Sequence, residues 1–321
     1  MSEVAVIGAG AWGTALAIQA ARAGSRVTLW ARDAERAGVI AARRESPRLP
    51  GIALDPALRI TADLGAIAAD LLVLAVPVQH LAAVVARLPP GPAVITAKGM
   101  EASTRRLPSE ILAEADPARP TAVLSGPNFA REIALGLPAA AVIAAANAGL
   151  RALVAARLAT PAFRLYGNDD VIGTQVGGAA KNVIAIAAGA VIGAGLGENA
   201  RAALITRGLA ELGRLAAALG GKRETTFGLS GLGDLTLTCT GEASRNYSLG
   251  RALGAGERLA DILAARQSVT EGVATAPALV ARAAEAGCEL PISTVVAHVL
   301  AGRASIAEAM AALLARRRRD E

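Results

Sequence analysis

Lys181 is the only charged residue between Asp170 and Glu198, and it stands within Gly177-Gly178-Ala179-Ala180-Lys181-Asn182-Val183-Ile184-Ala185-Ile186. An ammonium is costly to bury in such a segment unless it is paired or used. A lysine whose pKa shifts readily on burial suits a proton donor working near neutrality. The plainer reading is a structural ion pair, or a side chain that carries its charge out to water. Asp234 is likewise the sole charge between Glu224 and Glu242, in Gly231-Leu232-Gly233-Asp234-Leu235-Thr236-Leu237-Thr238. It is a natural partner for Lys181 or for the hydroxyls of a small polyol, with a helix cap as the plainer role. Ser244-Arg245-Asn246 gathers a hydroxyl, a guanidinium and an amide, an assortment suited to phosphate. Lys98-Gly99 and Ser125-Gly126-Pro127-Asn128 follow two predicted strands, at the ends where open parallel sheets bind ligands.

A second kind of site is written in Gly8-Ala9-Gly10-Ala11-Trp12-Gly13, which follows a β-branched run and opens an alanine-rich helical stretch. The first glycine permits a tight turn, the second lets backbone approach a pyrophosphate, and the third allows close helix packing. The helix N-terminus supplies N–H donors and a positive dipole end for the phosphates. At the end of the next strand, where a carboxylate would hold a ribose 2′-hydroxyl, stand the neutral Trp30-Ala31. Arg32 is placed to pair with a 2′-phosphate, so NADP(H) is expected to bind at least as well as NAD(H). Asp33 reads as the N-cap of the following helix.

The elements that must position these residues fall into two groups. Short apolar runs at Glu3–Ile7, Val27–Trp30, Leu71–Val76, Val94–Ala97, Thr121–Leu124, Ala140–Ile143 and Phe163–Tyr166 alternate with helical stretches, which predicts a parallel sheet covered by helices. Beyond Asp170 the strand signal fades and helical patterning continues to the end. The expected division is a dinucleotide-binding domain over 1–170 and an all-α helical, substrate-binding and catalytic domain over 171–321, with both meeting over one cleft. Two cores also suit 321 residues, since single cores stop growing at roughly 250. Residues 44–55 carry two prolines and a glycine and read as a long loop.

Composition removes several classes. Although 53% of residues are hydrophobic, much of that is alanine, and the 2% aromatic content cannot build interfacial belts. The apolar run Val183 to Gly197 is shorter than the roughly 20 residues of a membrane span and reads as a buried helix. With no basic leader before Val4, no signal peptide is expected, and the protein should be cytoplasmic, without integral membrane association. Cys239 and Cys288 have neither the count nor the spacing of a disulfide framework, and no metal site is expected. The net charge of +6 owes much to Arg316-Arg317-Arg318-Arg319, read as a solvated helix end rather than a nucleic-acid tail because no aromatic residues interleave it. Neither His80 nor His298 lies in a setting that suggests catalysis.

Taken together, Gly8–Leu16, Ala97-Lys98-Gly99, Ser125–Ala130 with Glu132, Gly177–Ala188, Asn199–Gly208, Gly228–Thr240, Ser244–Asn246 and Glu271-Gly272 resemble the bacterial-type glycerol-3-phosphate dehydrogenases that use NAD or NADP. The resemblance covers nearly the whole chain. It implies an α/β Rossmann-type N-terminal domain, an all-α C-terminal domain, and a homodimer. The implied reaction interconverts dihydroxyacetone phosphate and sn-glycerol 3-phosphate, supplying glycerophospholipid synthesis. It also implies Lys181 as catalytic acid/base and Lys98, Gly126, Asn128, Lys181, Asp234, Ser244, Arg245 and Asn246 as substrate contacts. Ala11, Trp12, Arg32, Lys98, Ala130, Arg245, Val269 and Glu271 are implied to line the cofactor beside the glycines. Ala11 and Asn128 depart from the family's usual residues. The alternatives are a two-domain hydroxyacid or ketopantoate-type reductase, whose substrate would carry a carboxylate, and a non-catalytic redox sensor, which would not need Lys181.

Overall fold

The computed structural model describes residues 2–266 and 269–316. Its strands are β1 (Glu3–Ile7), β2 (Arg26–Trp30), β3 (Arg59–Thr61), β4 (Leu71–Leu74), β5 (Ala93–Ile95), β6 (Thr121–Ser125), β7 (Ala139–Ala144) and β8 (Phe163–Asn168). The helices of the first half are α1 (Ala11–Arg22), α2 (Ala34–Arg43), α3 (Leu81–Val85), α4 (Pro108–Ala115), α5 (Ala130–Leu135) and α6 (Ala148–Leu158). Those that follow are α7 (Val171–Gly193), α8 (Glu198–Ala218), α9 (Asp234–Thr240), α10 (Arg245–Gly254), α11 (Leu259–Ala264), α12 (Glu271–Glu285), α13 (Pro291–Leu300) and α14 (Ile306–Leu314). The sequence pattern puts one boundary at 170/171. The chain's internal contacts divide it instead after Thr174, and group Gly99–Arg106 with the second unit.

The first unit is a single sheet in the order β3-β2-β1-β4-β5-β6-β7-β8. Strands such as β4, Leu-Leu-Val-Leu with every residue buried, are the unbroken apolar runs that a doubly covered parallel sheet requires. Two features correct the expectation of seven parallel strands. The three-residue β3 extends the sheet beside β2, and β7 runs antiparallel to β6 through Leu124↔Ile143 while β8 runs parallel to β7. Strand direction depends on how the chain returns, which the apolar run itself does not encode. Helix α1 is buried almost all round, and Gln19 finds partners there: its Nε2 donates to Leu158 O at 2.9 Å and to Thr160 Oγ1 at 3.1 Å. Residues 44–55 form no regular element beyond a Glu45–Ala53 bridge.

In the second unit the described residues are helical apart from turns, as expected. Helix α7 is longer than the apolar run that announces it, beginning at Val171 and taking in Lys181. Its 23 residues and hydropathy of 1.6 would suit a membrane span, yet 89% of its most apolar window is buried among the protein's own side chains. Helix α10 lies against it with almost no side chain between them. A β-carbon on Gly250 would fall 1.9 Å from Ile186 O, one on Gly254 2.3 Å from Ala190 O, and one on Gly189 2.0 Å from Tyr247 O. Two glycines four residues apart on each helix thus leave backbone facing backbone. Elsewhere, buried Glu211 of α8 accepts from Ile292 N at 2.5 Å, Ser293 N at 3.2 Å and Ser293 Oγ at 2.9 Å. It caps α13, whose own N-cap, Leu290, has no side-chain acceptor. Burial raises the Glu211 pKa above the ordinary carboxylate value, while the bonds from Ile292 and Ser293 pull it down. Arg316 pairs with Glu289 at 3.0 Å, and residues 317–319 of the arginine run lie outside the described residues.

Candidate active site

In the first unit the glycine motif forms the turn from β1 to α1. Gly8 has φ +121°, and a β-carbon there would meet Ala75 O at 2.7 Å. One on Gly13 would lie 1.8 Å from Gly8 O, so the first and third glycines close the turn on itself. Gly10 differs: a β-carbon there would meet nothing within 4 Å. It is also the N-cap of α1 and contributes no side-chain cap, so the first turn's N–H groups have no capping acceptor. Open space before uncapped donors at a helix N-terminus fits a dinucleotide pyrophosphate. The Trp12 indole N–H, buried and without a hydrogen-bond partner, is one more donor in this turn.

The other expected first-unit residues sit on the same sheet. Trp30 closes β2 with its indole N–H donated to Ala62 O at 3.0 Å. Arg32 is exposed, and Asp33 caps α2 by accepting from Arg36 N at 2.8 Å. Lys98 Nζ donates to Gly126 O at 2.9 Å, which brings together two expected ligand contacts after β5 and β6. Gly126, at φ +153°, admits no β-carbon, because one would lie 2.9 Å from Ala141 Cα. Asn128 Nδ2 donates to Ala140 O at 2.9 Å, while its Oδ1 is buried without a partner. Ala130 opens α5.

In the second unit Lys181 and Asp234 meet. Lys181 Nζ lies 2.5 Å from Asp234 Oδ1, with the two side chains 8% and 1% exposed, so this is a buried ion pair. Lys181 also donates to Thr238 Oγ1 at 2.8 Å, and Thr238 Oγ1 lies 3.4 Å from Asp234 Oδ1. Asp234 is the first residue of α9, but its carboxylate reaches across to α7 rather than serving as a cap. Thr238 escaped the sequence reading. The available signal was its position four residues after Asp234, on the same helix face. Next in the chain after Thr238, the Cys239 thiol is pushed up to about 12 by burial, against the pull of the Lys181 charge, and stays neutral.

The phosphate assortment divides once folded. Ser244 is the N-cap of α10 and accepts from Tyr247 N at 3.2 Å. Arg245, exposed at the first position of α10, donates from Nη1 to Val269 O at 2.7 Å. Asn246 turns inward: its Nδ2 donates to Asn182 Oδ1 at 2.9 Å and its Oδ1 accepts from Gly272 N at 3.1 Å. Asn182, the neighbour of Lys181, was not singled out by sequence. Its bond to Asn246 ties α7 to α10 and, through Gly272, to the start of α12, whose first residue is Glu271.

Two family models cover the chain: residues 3–150 match the NAD-dependent glycerol-3-phosphate dehydrogenase N-terminus, and residues 170–311 match its C-terminus. A glycerol-3-phosphate dehydrogenase [NAD(P)+] of Acidiphilium cryptum is 57% identical over 321 residues, spanning 99% of this chain and 98% of its own. One from Gluconobacter oxydans is 54% identical over 98% of this chain and 97% of its own. The crystal structure of glycerol-3-phosphate dehydrogenase from Coxiella burnetii superposes with a TM-score of 0.94 at 37% identity, covering 98% of this chain and 99% of that one. A ketopantoate reductase from Ralstonia eutropha shares the fold alone, at TM-score 0.58 and 18% identity. With both halves matched in order and relatives above 50% identity along the full length, this chain belongs to the NAD-dependent glycerol-3-phosphate dehydrogenase family.

Proposed function

We propose that this chain interconverts dihydroxyacetone phosphate and sn-glycerol 3-phosphate, with Lys181 as the proton donor and acceptor. The observation that carries the reading is the buried cluster of Lys181, Asp234 and Thr238. The nicotinamide, when bound, supplies or accepts the hydride. Negative charge grows on the substrate carbonyl oxygen as it is reduced, and an ammonium within hydrogen-bond reach both stabilises that charge and completes the alcohol. Asp234 accepts from the Lys181 ammonium and fixes its direction. Thr238 accepts from the ammonium, and its hydroxyl can turn to donate once the amine is neutral.

The remaining assignments follow the same reading. Gly8, Gly10, Ala11, Trp12 and Gly13 hold the pyrophosphate, Arg32 faces a 2′-phosphate, and Lys98, Ala130, Arg245, Val269 and Glu271 complete the cofactor contacts. Lys98, Gly126, Asn128, Ser244, Arg245 and Asn246 contact the substrate, with Arg245 as phosphate anchor. Residues 1–170 form the dinucleotide-binding domain and 171–321 the helical substrate-binding and catalytic domain, each lending residues to the other's ligand. The protein works as a cytoplasmic homodimer that supplies glycerol 3-phosphate to glycerophospholipid synthesis.

Lys181→Met should lower turnover about a hundredfold or more, the usual reach of general acid catalysis. It also removes the ammonium that buried Asp234 pairs with, at a cost of about 3–5 kcal/mol. The double variant Lys181→Met/Asp234→Asn removes the carboxylate as well and keeps the test clean. Near-normal turnover in either folded variant, with unchanged NADPH affinity, would make Lys181 a structural charge.

A further inference from the structure

Beyond Arg245, a second guanidinium stands at the same place. Arg266, just past the end of α11, donates from Nη1 to Arg245 O at 2.7 Å and from Nη2 to Ser248 Oγ at 3.1 Å. Arg245 in turn donates to Val269 O at 2.7 Å, so each arginine is held by neutral oxygens of the segment that carries the other. Among the described residues neither guanidinium forms an ion pair with a carboxylate. Other arginines of this unit do: Arg251 pairs with Glu242, and Arg201 with Glu198. Partial burial, and then the charge of Arg245, hold the Arg266 pKa below its ordinary value, while Glu257 offsets this only from a distance. Two unpaired like charges kept in proximity raise the local affinity for an anion. Thr270, next to Val269, adds a hydroxyl that is buried without a partner at the N-cap of α12.

We propose that Arg266 and Arg245 form a two-guanidinium site for a phosphate dianion, with Arg266 as a second direct phosphate ligand that no sequence motif marks. The inference rests on the reading of Arg245 as a phosphate anchor. The phosphate has two possible sources, the monoester of the substrate and the 2′-phosphate of NADPH. Forked N–H donors from two arginines can engage more of its oxygens than one can, which is where the added affinity arises.

The test compares wild type with Arg266→Gln, Arg266→Lys and Arg245→Lys by two measurements: the rise in melting temperature produced by inorganic phosphate, and KM for dihydroxyacetone phosphate, NADH and NADPH. Arg266→Gln should shift the phosphate midpoint upward about tenfold, as expected for loss of a charge-assisted hydrogen bond. A parallel tenfold rise in substrate KM at constant KM for NADH and NADPH identifies the substrate phosphate. A rise for NADPH without one for NADH identifies the 2′-phosphate, and the site stands in either case. Arg266→Lys, which keeps the charge and loses the fork, should fall between wild type and Arg266→Gln. If Arg266→Gln leaves the phosphate midpoint and all three KM values within about twofold of wild type, the second ligand is refuted. Arg245→Lys then separates the two readings: a raised substrate KM in that variant preserves Arg245 as anchor, whereas an inert one removes both.

Discussion

Between Ile7 and Thr14 the first unit shapes its candidate cofactor site from main chain: two glycines that admit no β-carbon fold the turn, and a third leaves open space before uncapped N–H groups. The second unit gathers side chains from far-apart stretches, Lys181 from α7, Asp234 and Thr238 from α9, Asn246 from α10, and packs the helices so closely that two of them touch through glycine. The first site therefore depends on local backbone shape. The second depends on tertiary packing that holds chemically specific groups.

The sharpest way to break this contrast is to make the same steric insult in both places. Gly13→Ala and Gly250→Ala each put a β-carbon under 2 Å from a carbonyl oxygen, 1.8 Å and 1.9 Å respectively. Each should destabilise by roughly 1–3 kcal/mol or more, because backbone must move. Gly13→Ala should chiefly weaken NADPH binding measured by fluorescence titration, with the Lys181 pocket unharmed. Gly250→Ala should lower the melting temperature and turnover, with a smaller loss of cofactor affinity in the folded fraction than Gly13→Ala gives, since on α10 only Arg245 is a proposed cofactor contact. Equal losses of cofactor affinity in both would show that the two sites are not built independently.

A smaller effect is expected at Arg32, the one exposed side chain proposed to add specificity to the backbone-built site. Arg32→Glu should raise the KM for NADPH about tenfold and leave NADH nearly unchanged, since it replaces a pairing with repulsion at the 2′-phosphate alone. Equal changes for both cofactors would place Arg32 outside the site.

The smallest expected effect concerns Glu211, a side chain committed to packing in the second unit. Its folded pKa is raised above 4.5 by burial. Its contribution to stability is therefore fully present below the unfolded pKa and is lost as pH rises through the folded value. Glu211→Gln loses part of the α13 cap, so it should melt lower throughout, but the gap from wild type should narrow by a few degrees as pH rises across that window. A gap that widens with pH would mean that the cap bonds, not burial, govern the carboxylate.

The same contrast decides what the sequence made legible. The turn at Gly8–Gly13 could be read because every residue that shapes it is within a few positions, and Asp33 could be read as a cap for the same reason. Lys181 and Asp234 were legible as lone charges in apolar stretches, since a buried charge needs a partner wherever it comes from. Thr238 and Asn182 were not, because a threonine or asparagine beside such a charge has many ordinary uses, and Asn182 meets Asn246 across 64 residues. The edge strand β3, only three residues long, carries too little alternation to register. The antiparallel entry of β7 reflects the path of the chain after α5, not the composition of the strand.

The glycine contact between α7 and α10 has one more consequence. Neither helix can slide along the other without a carbonyl oxygen riding over a bare Cα, so the two move as one piece, and with them Lys181 on α7 and Arg245 at the head of α10. On the roles proposed above, that block is a ruler. With the gap held constant, a substrate of longer carbon chain would have to buckle to reach both ends. Substrate length would then be selected by a spacing set in backbone, which pocket side chains can trim but not reset.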